Sequence, residues 1–166
     1  MDIKKIESLA EKILDDNGVK NSPVLVEELA EKLNIQIKKA SSEDFSGLLL
    51  RKEGVSLIGI NSKEPITRQR FSIAHELGHY CVHHNKDVFV DYLEYRNNKK
   101  ESGSKIKETE ANMFAAALLM PRKWLERDFE NIVKNTFEKE HLKLLAEKYG
   151  VSEDAMNFRI INLRLN

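Results

Sequence analysis

The chain has 166 residues, 41% of them hydrophobic and 33% charged, which is enough to bury a core without disulfides and too ordinary a mixture for disorder. Its 27 Lys plus Arg balance 27 Asp plus Glu, which argues against a protein built mainly to neutralise a phosphate backbone. A single cysteine, Cys81, excludes a disulfide framework and a cysteine-rich metal site.

The N-terminus opens Met1-Asp2-Ile3-Lys4-Lys5 and shows no apolar signal region. The longest apolar stretch, Phe114 to Met120, is too short to span a bilayer. A soluble, cytoplasmic protein without membrane contact is expected. In chain order, Ile3, Ile6, Leu9, Ala10, Ile13 and Leu14 have helical spacing that ends at Asp16-Asn17-Gly18. A second helix is expected after Ser22 as N-cap, with Pro23 in its first turn and Val26, Leu29, Ala30 and Leu33 along it. Ile35–Ile37, Gly47–Leu50 and Val55–Ile60 read as three short strands, the last two joined as a hairpin around Glu53-Gly54. Helical spacing returns from Pro65 to about His84. Val88-Phe89-Val90 is compatible with a strand, and Asn97–Ser104 reads as an exposed loop. A helix over 105–119 should stop at Pro121, which then starts a short helix carrying Trp124, Leu125 and Phe129. Two more helices, about 138–149 and 153–164, flank Gly150-Val151-Ser152.

The chemistry lies in His75-Glu76-Leu77-Gly78-His79. Residues four apart on a helix share a face, so His75 and His79 can converge on one ion. Zinc hydrolases place a glutamate beside the first histidine to take a proton from the water that the metal activates, which points to Glu76 as catalytic base. A solvated helix that happens to carry two histidines is the bland alternative. It is weakened by the apolar stripe Phe71, Ala74, Gly78 and Cys81 beside the motif, where unsatisfied imidazoles would be costly.

One zinc per chain needs a third protein ligand and leaves a fourth position for water. An extended motif with a third histidine is absent, because Val82 and Asn85 stand at its later positions. His83 lies two turns from His75, about 12 Å along the axis, so His83 and His84 are expected to be polar residues at a helix end. A carboxylate from the next helix remains, either Glu108 or Glu110, which point about 200° apart. Glu108 shares its face with Asn112, Ala115 and Leu119 and is favoured, with Asn112 placed to accept the other N–H of a ligating histidine. Glu110 shares its face with Phe114 and Ala117, so spacing alone leaves it open. If Glu108 is the ligand, Glu110 is expected to be a surface carboxylate.

Two segments, Arg70–Tyr80 and Glu108–Pro121, together resemble the ImmA/IrrE family of metallopeptidases. The second is the more distinctive, with Glu-x-x-x-Asn followed by Phe-Ala-Ala and Leu-Leu-Met-Pro, and Gly59-Ile60-Asn61 looks like the strand end that leads into the motif helix. The resemblance covers roughly residues 20 to 165. It implies zinc on His75, His79 and Glu108 with Glu76 as base, and an α+β, zincin-like core whose small, mainly antiparallel sheet packs on the motif helix. It also implies regulatory proteolysis of a helix-turn-helix repressor of a mobile element or stress response. A single metallopeptidase domain over 1–166 is expected, with N-terminal helices at 1–34, the zincin core at 35–121 and a C-terminal helical part at 122–166.

The tail from Leu145 to Met156 has a helix-turn-helix-like pattern, which raises a rival reading as a DNA-binding regulator with a structural or sensory zinc. Against it, the second helix would open with Ser152-Glu153-Asp154, and carboxylates there would repel phosphates. Cys81 reads as a small buried hydrophobe, and Trp124 and Phe129 as packing residues. Tyr92, Tyr95 and Arg96 are candidate donors to the oxyanion of the reaction or plain loop residues, and spacing does not choose between these.

Overall fold

The computed structural model describes residues 2–52, 54–83, 88–92 and 102–165. Two helices lead, α1 (Ile3–Asp16) and α2 (Val26–Lys32), followed by strands β1 (Ile35–Ala40), β2 (Phe45–Lys52) and β3 (Val55–Asn61). Then come α3 (Ile66–Val82), β4 (Val88–Tyr92), α4 (Ser102–Leu119), α5 (Arg122–Ile132), α6 (Lys139–Tyr149) and α7 (Glu153–Leu163). The architecture is α+β. The sheet runs β1-β3-β2-β4. β2 is antiparallel to both neighbours and β1 is parallel to β3, so the sheet is mixed although mostly antiparallel. No helix among the described residues is long and apolar enough to cross a membrane.

Two boundaries differ from the sequence expectation. The second helix starts at Val26, with Leu25 rather than Ser22 at its N-cap. The reason is tertiary. Val24 is fully buried and its carbonyl accepts from the Arg70 guanidinium at 3.0 Å, so this segment packs against the core as non-helical chain instead of a helical turn. α4 starts at Ser102, inside the stretch read as loop, of which 97–101 lie outside the described residues. The β2–β3 hairpin has the expected place. Lys52 pairs with Val55, and Gly54 adopts φ +81°, which favours glycine; Glu53 lies outside the described residues.

The core is built on periodicity. Ile6, Ala10 and Leu14 form one buried stripe of α1, which packs on α4, while Leu49 and Ile58 face each other across β2 and β3. α3 lies between this sheet and α4. Its entry is fixed by Asn61 at the end of β3, whose buried side chain accepts from the backbone N–H of Ser42 and Lys63 and donates to the Ser42 carbonyl. Gln69 donates to the Ser62 and Glu64 carbonyls at 3.3 and 2.7 Å, closing the turn into the helix. At the other end, Arg51 of β2 stacks on the Tyr80 ring at 4.3 Å and donates to carbonyls of the last turn, those of His79, Tyr80 and His83. A helix leaves its last carbonyls without intrahelical partners, and a cation there also suits the helix dipole.

Gly78 sets the distance between α3 and α4. A Cβ at this position would come within 3.0 Å of both the Cα and the carbonyl oxygen of Ala111. Backbone atoms inside a packed helix pair cannot swing aside as a side-chain end can. Gly78→Val is therefore expected to lower the unfolding free energy by about 1–3 kcal/mol through overpacking, although valine is the better helix former. Urea unfolding measures this, and an unchanged or raised midpoint would show that the two helices yield.

The C-terminal helices are tied down by buried polar groups. Gly150 ends α6 at φ +63°, Ser152 caps α7 by accepting from Ala155 N–H, and Arg70 donates to the Gly150 and Tyr149 carbonyls. Tyr149 O–H donates to Asp128 at 2.9 Å, and Lys148 and Arg127 approach the same carboxylate at 2.8 and 3.1 Å. Burial pushes the Asp128 carboxyl up, but these three partners outweigh it and hold the pKa below its ordinary value. Trp124 and Phe129 pack against the core, as their spacing implied.

Candidate metal centre

α3 and α4 run past one another so that one turn of each faces the other. His75 and His79 come from α3, and Glu108 from the first half of α4. The Nε2 atoms of the two histidines are 3.0 Å apart. Glu108 Oε2 lies 3.4 Å from His75 Nε2, and Oε1 lies 3.6 Å from His79 Nε2. Both imidazoles are buried and the carboxylate is partly exposed. Zinc bonds of about 2.0–2.2 Å at tetrahedral angles separate their donors by about 3.3–3.6 Å, so the spacing of the two imidazoles and the carboxylate is close to that of three corners of such a site. Of the four residues singled out from sequence as functional, His75, His79 and Glu108 form this cluster. Glu76 is on the same helix turn and completely buried.

The protonation states suit a metal. Burial pushes the His79 pKa down to about 4 against the opposing pull of Glu108, so its ring is neutral near pH 7. For Glu108, burial acts upward, but the two imidazoles beside it outweigh burial and hold the carboxyl far below its usual range. Neutral imidazole and ionised carboxylate are the forms that bind a divalent cation. Asn112, one turn beyond Glu108, has its Oδ1 2.9 Å from His75 Nδ1. An amide oxygen accepts, so Nδ1 carries the proton and the lone pair of Nε2 faces the other donors.

Glu76 is packed against β2. A Cβ at Gly47 would lie 2.9 Å from Glu76 Oε1 and 3.3 Å from its Cγ, so only glycine lets the strand approach the carboxylate this closely. The Gly47 backbone thus forms one wall of the space around Glu76, a role that a lone glycine in a strand does not announce from sequence.

His83 stands at the C-cap of α3, as expected of a polar residue at a helix end. Its Nε2 is 3.2 Å from the Lys107 carbonyl and 3.6 Å from Glu110 Oε2, and it is not one of the three clustered donors. Glu110 requires a correction. It is only 8% exposed, not a surface carboxylate, and His83 at the C-cap of α3 lies against it. Its burial follows from the face it shares with Phe114 and Ala117, both buried. Cys81 behaves as a hydrophobe, its thiol pushed by burial to about 12. His84, Asn85, Tyr95 and Arg96 lie outside the described residues, and Tyr92 ends β4 with its side chain undescribed.

The family described as Peptidase M78, IrrE N-terminal-like domain, matches residues 30–160, most of the chain and all of the cluster. The chain belongs to this ImmA/IrrE family of metallopeptidases. Among curated proteins it is similar to metallopeptidase ImmA of Bacillus subtilis (strain 168), with 30% identity over 122 residues, 74% of this chain and 67% of that relative. Among solved structures it is similar to a Mycobacterium tuberculosis transcriptional regulator, with a TM-score of 0.65 and 15% identity over 94% of this chain. The likeness is one of fold, and it spans 46% of the Mycobacterium chain. Membership of the family implies a metal-dependent peptidase, and the cluster offers a place for the metal.

Proposed function

We propose that this chain is a zinc-dependent endopeptidase that holds one zinc ion on His75, His79 and Glu108 and uses Glu76 as general base. The observation that carries the reading is the convergence of two imidazole Nε2 atoms and one ionised carboxylate within bonding reach of a single ion. When bound, zinc supplies Lewis-acid activation of water and of the peptide carbonyl. Asn112 fixes the tautomer and tilt of His75. Glu76 accepts the proton of the attacking water and returns it to the nitrogen of the departing amine, so the carboxylate ends the cycle ionised as it began.

The substrate we propose is a helix-turn-helix repressor of a mobile element or stress response, cut to relieve repression in the cytoplasm. The family and the relative named a metallopeptidase support a protein substrate; the choice of a repressor follows only from the resemblance of the two motif segments. The test is elemental analysis and hydrolysis of a repressor encoded beside this chain. One zinc per chain is expected, with cleavage lost on chelation and restored by zinc. A metal-free preparation that keeps full activity would end the reading.

A second reading, a DNA-binding regulator with a structural or sensory zinc, has one feature in its favour, the α6–Gly150–α7 arrangement. Glu153 and Asp154 occupy the first turn of α7, where phosphate would be repelled, and Arg159 is engaged with the Met120 carbonyl and Glu7. DNA binding that weakens steeply with salt would favour it.

A further inference from the structure

A groove of about 670 Å³ opens beside the metal cluster, floored by α3 and α4 and walled by α7. Its apolar lining is Phe71, Ala116, Met120, Val151, Ala155 and Phe158. Two observations join it to the site. Asn112, which holds His75, is also a lining residue, and the Phe71 ring lies 6.4 Å from the His75 ring. Phe158 is 66% exposed on the groove wall, an aromatic surface that nothing in the chain covers among the described residues.

We propose that this groove is the specificity subsite of the peptidase, taking large apolar side chains of the peptide substrate on one side of the scissile bond, and that α7 serves to read substrate. The proposal rests on the zinc-site reading above. Along α4, Asn112, Ala116 and Met120 lie about 6, 12 and 18 Å beyond Glu108, at 1.5 Å per residue. An extended peptide advances about 3.3 Å per residue. A chain whose scissile bond sits at the cluster therefore lays its second to fifth residues along the groove. The apolar part of the lining selects apolar groups by burial, with the buried Met120 beneath its floor. Arg159, the buried cation on the α7 side, is bound to Glu7 and the Met120 carbonyl. The same arrangement explains why a helix with an acidic first turn carries an exposed phenylalanine: it meets a peptide, not a phosphate backbone.

The test uses calorimetry on the full, zinc-loaded chain with three probes: acetohydroxamate, and hydroxamates extended on either side by Leu-Phe or by Gly-Gly. Acetohydroxamate reports the metal alone. The Leu-Phe probe is expected to bind roughly tenfold or more tightly than the Gly-Gly probe in one of the two orientations. Phe158→Ser, which removes an exposed ring, and Ala155→Phe, which fills the groove, should each abolish most of that gain and leave acetohydroxamate affinity unchanged. Equal affinity for the two extended probes, or a gain that survives both variants, overturns the subsite while leaving the zinc reading intact. Failure of acetohydroxamate to bind a protein carrying stoichiometric zinc overturns the zinc-site reading and the subsite with it. If sedimentation shows that Phe158→Ser instead turns a dimer into a monomer with the gain unaltered, the face is a self-association surface and the proposal falls.

Discussion

Glu76→Gln is expected to keep the metal and the fold and to lose hydrolysis by about 10²–10⁴-fold. The amide has the shape of the carboxylate, and the space against Gly47 that admits one admits the other. What it lacks is basicity: an amide oxygen cannot take the proton of the attacking water or return it to the leaving nitrogen. Because Glu76 is not among the three clustered donors, zinc content should stay at one per chain. Rates on the repressor substrate, measured alongside zinc content and thermal unfolding, separate loss of the base from loss of structure. A variant that hydrolyses at the wild-type rate would leave Glu76 without its assigned role, and another group would have to carry the proton.

How much of this was readable before the structure depended on how local each feature is. The i, i+4 spacing of His75 and His79 needs only a helix to place both rings on one side, and the same rule links Glu108 to Asn112. Strand positions followed from short alternating or apolar runs and the glycine turn. The parallel pairing of β1 with β3 was not legible, because it depends on how strands distant in sequence assemble rather than on either strand's own pattern. Arg51 was not legible either. Its bonds to the end of α3 join residues 28 to 32 positions apart, and nothing in the strand pattern around it marks a helix cap. Gly78 and Gly47 look alike as letters, yet one sets a helix–helix spacing and the other the wall beside Glu76. The start of α2 was misplaced for the same reason, since the burial of Val24 and its bond from Arg70 override a good local capping sequence.

Glu108→Ala should release zinc, whereas Glu110→Ala should retain it and instead weaken the fold. The two side chains leave α4 about 200° apart, so they cannot share a ligand. Glu108 reaches both Nε2 atoms, at 3.4 and 3.6 Å, and its carboxyl is held below its usual range although burial acts the other way. Its loss removes one of three protein bonds and the only negative charge in the donor set, and two histidines alone should not keep zinc through dialysis. Glu110 meets His83 at 3.6 Å, on the far side of His79 from His75, and is nearly buried. Cutting it to alanine removes a neighbour of the buried His83 ring and leaves a gap under the end of α3. A loss of about 1–3 kcal/mol in unfolding free energy is expected, more than a surface carboxylate would cost. Zinc per chain after dialysis and urea midpoints on both variants give the answer. Zinc lost from Glu110→Ala but kept by Glu108→Ala would place the third ligand on the opposite face of α4, and the cluster that carries the proposed mechanism would not be the metal site.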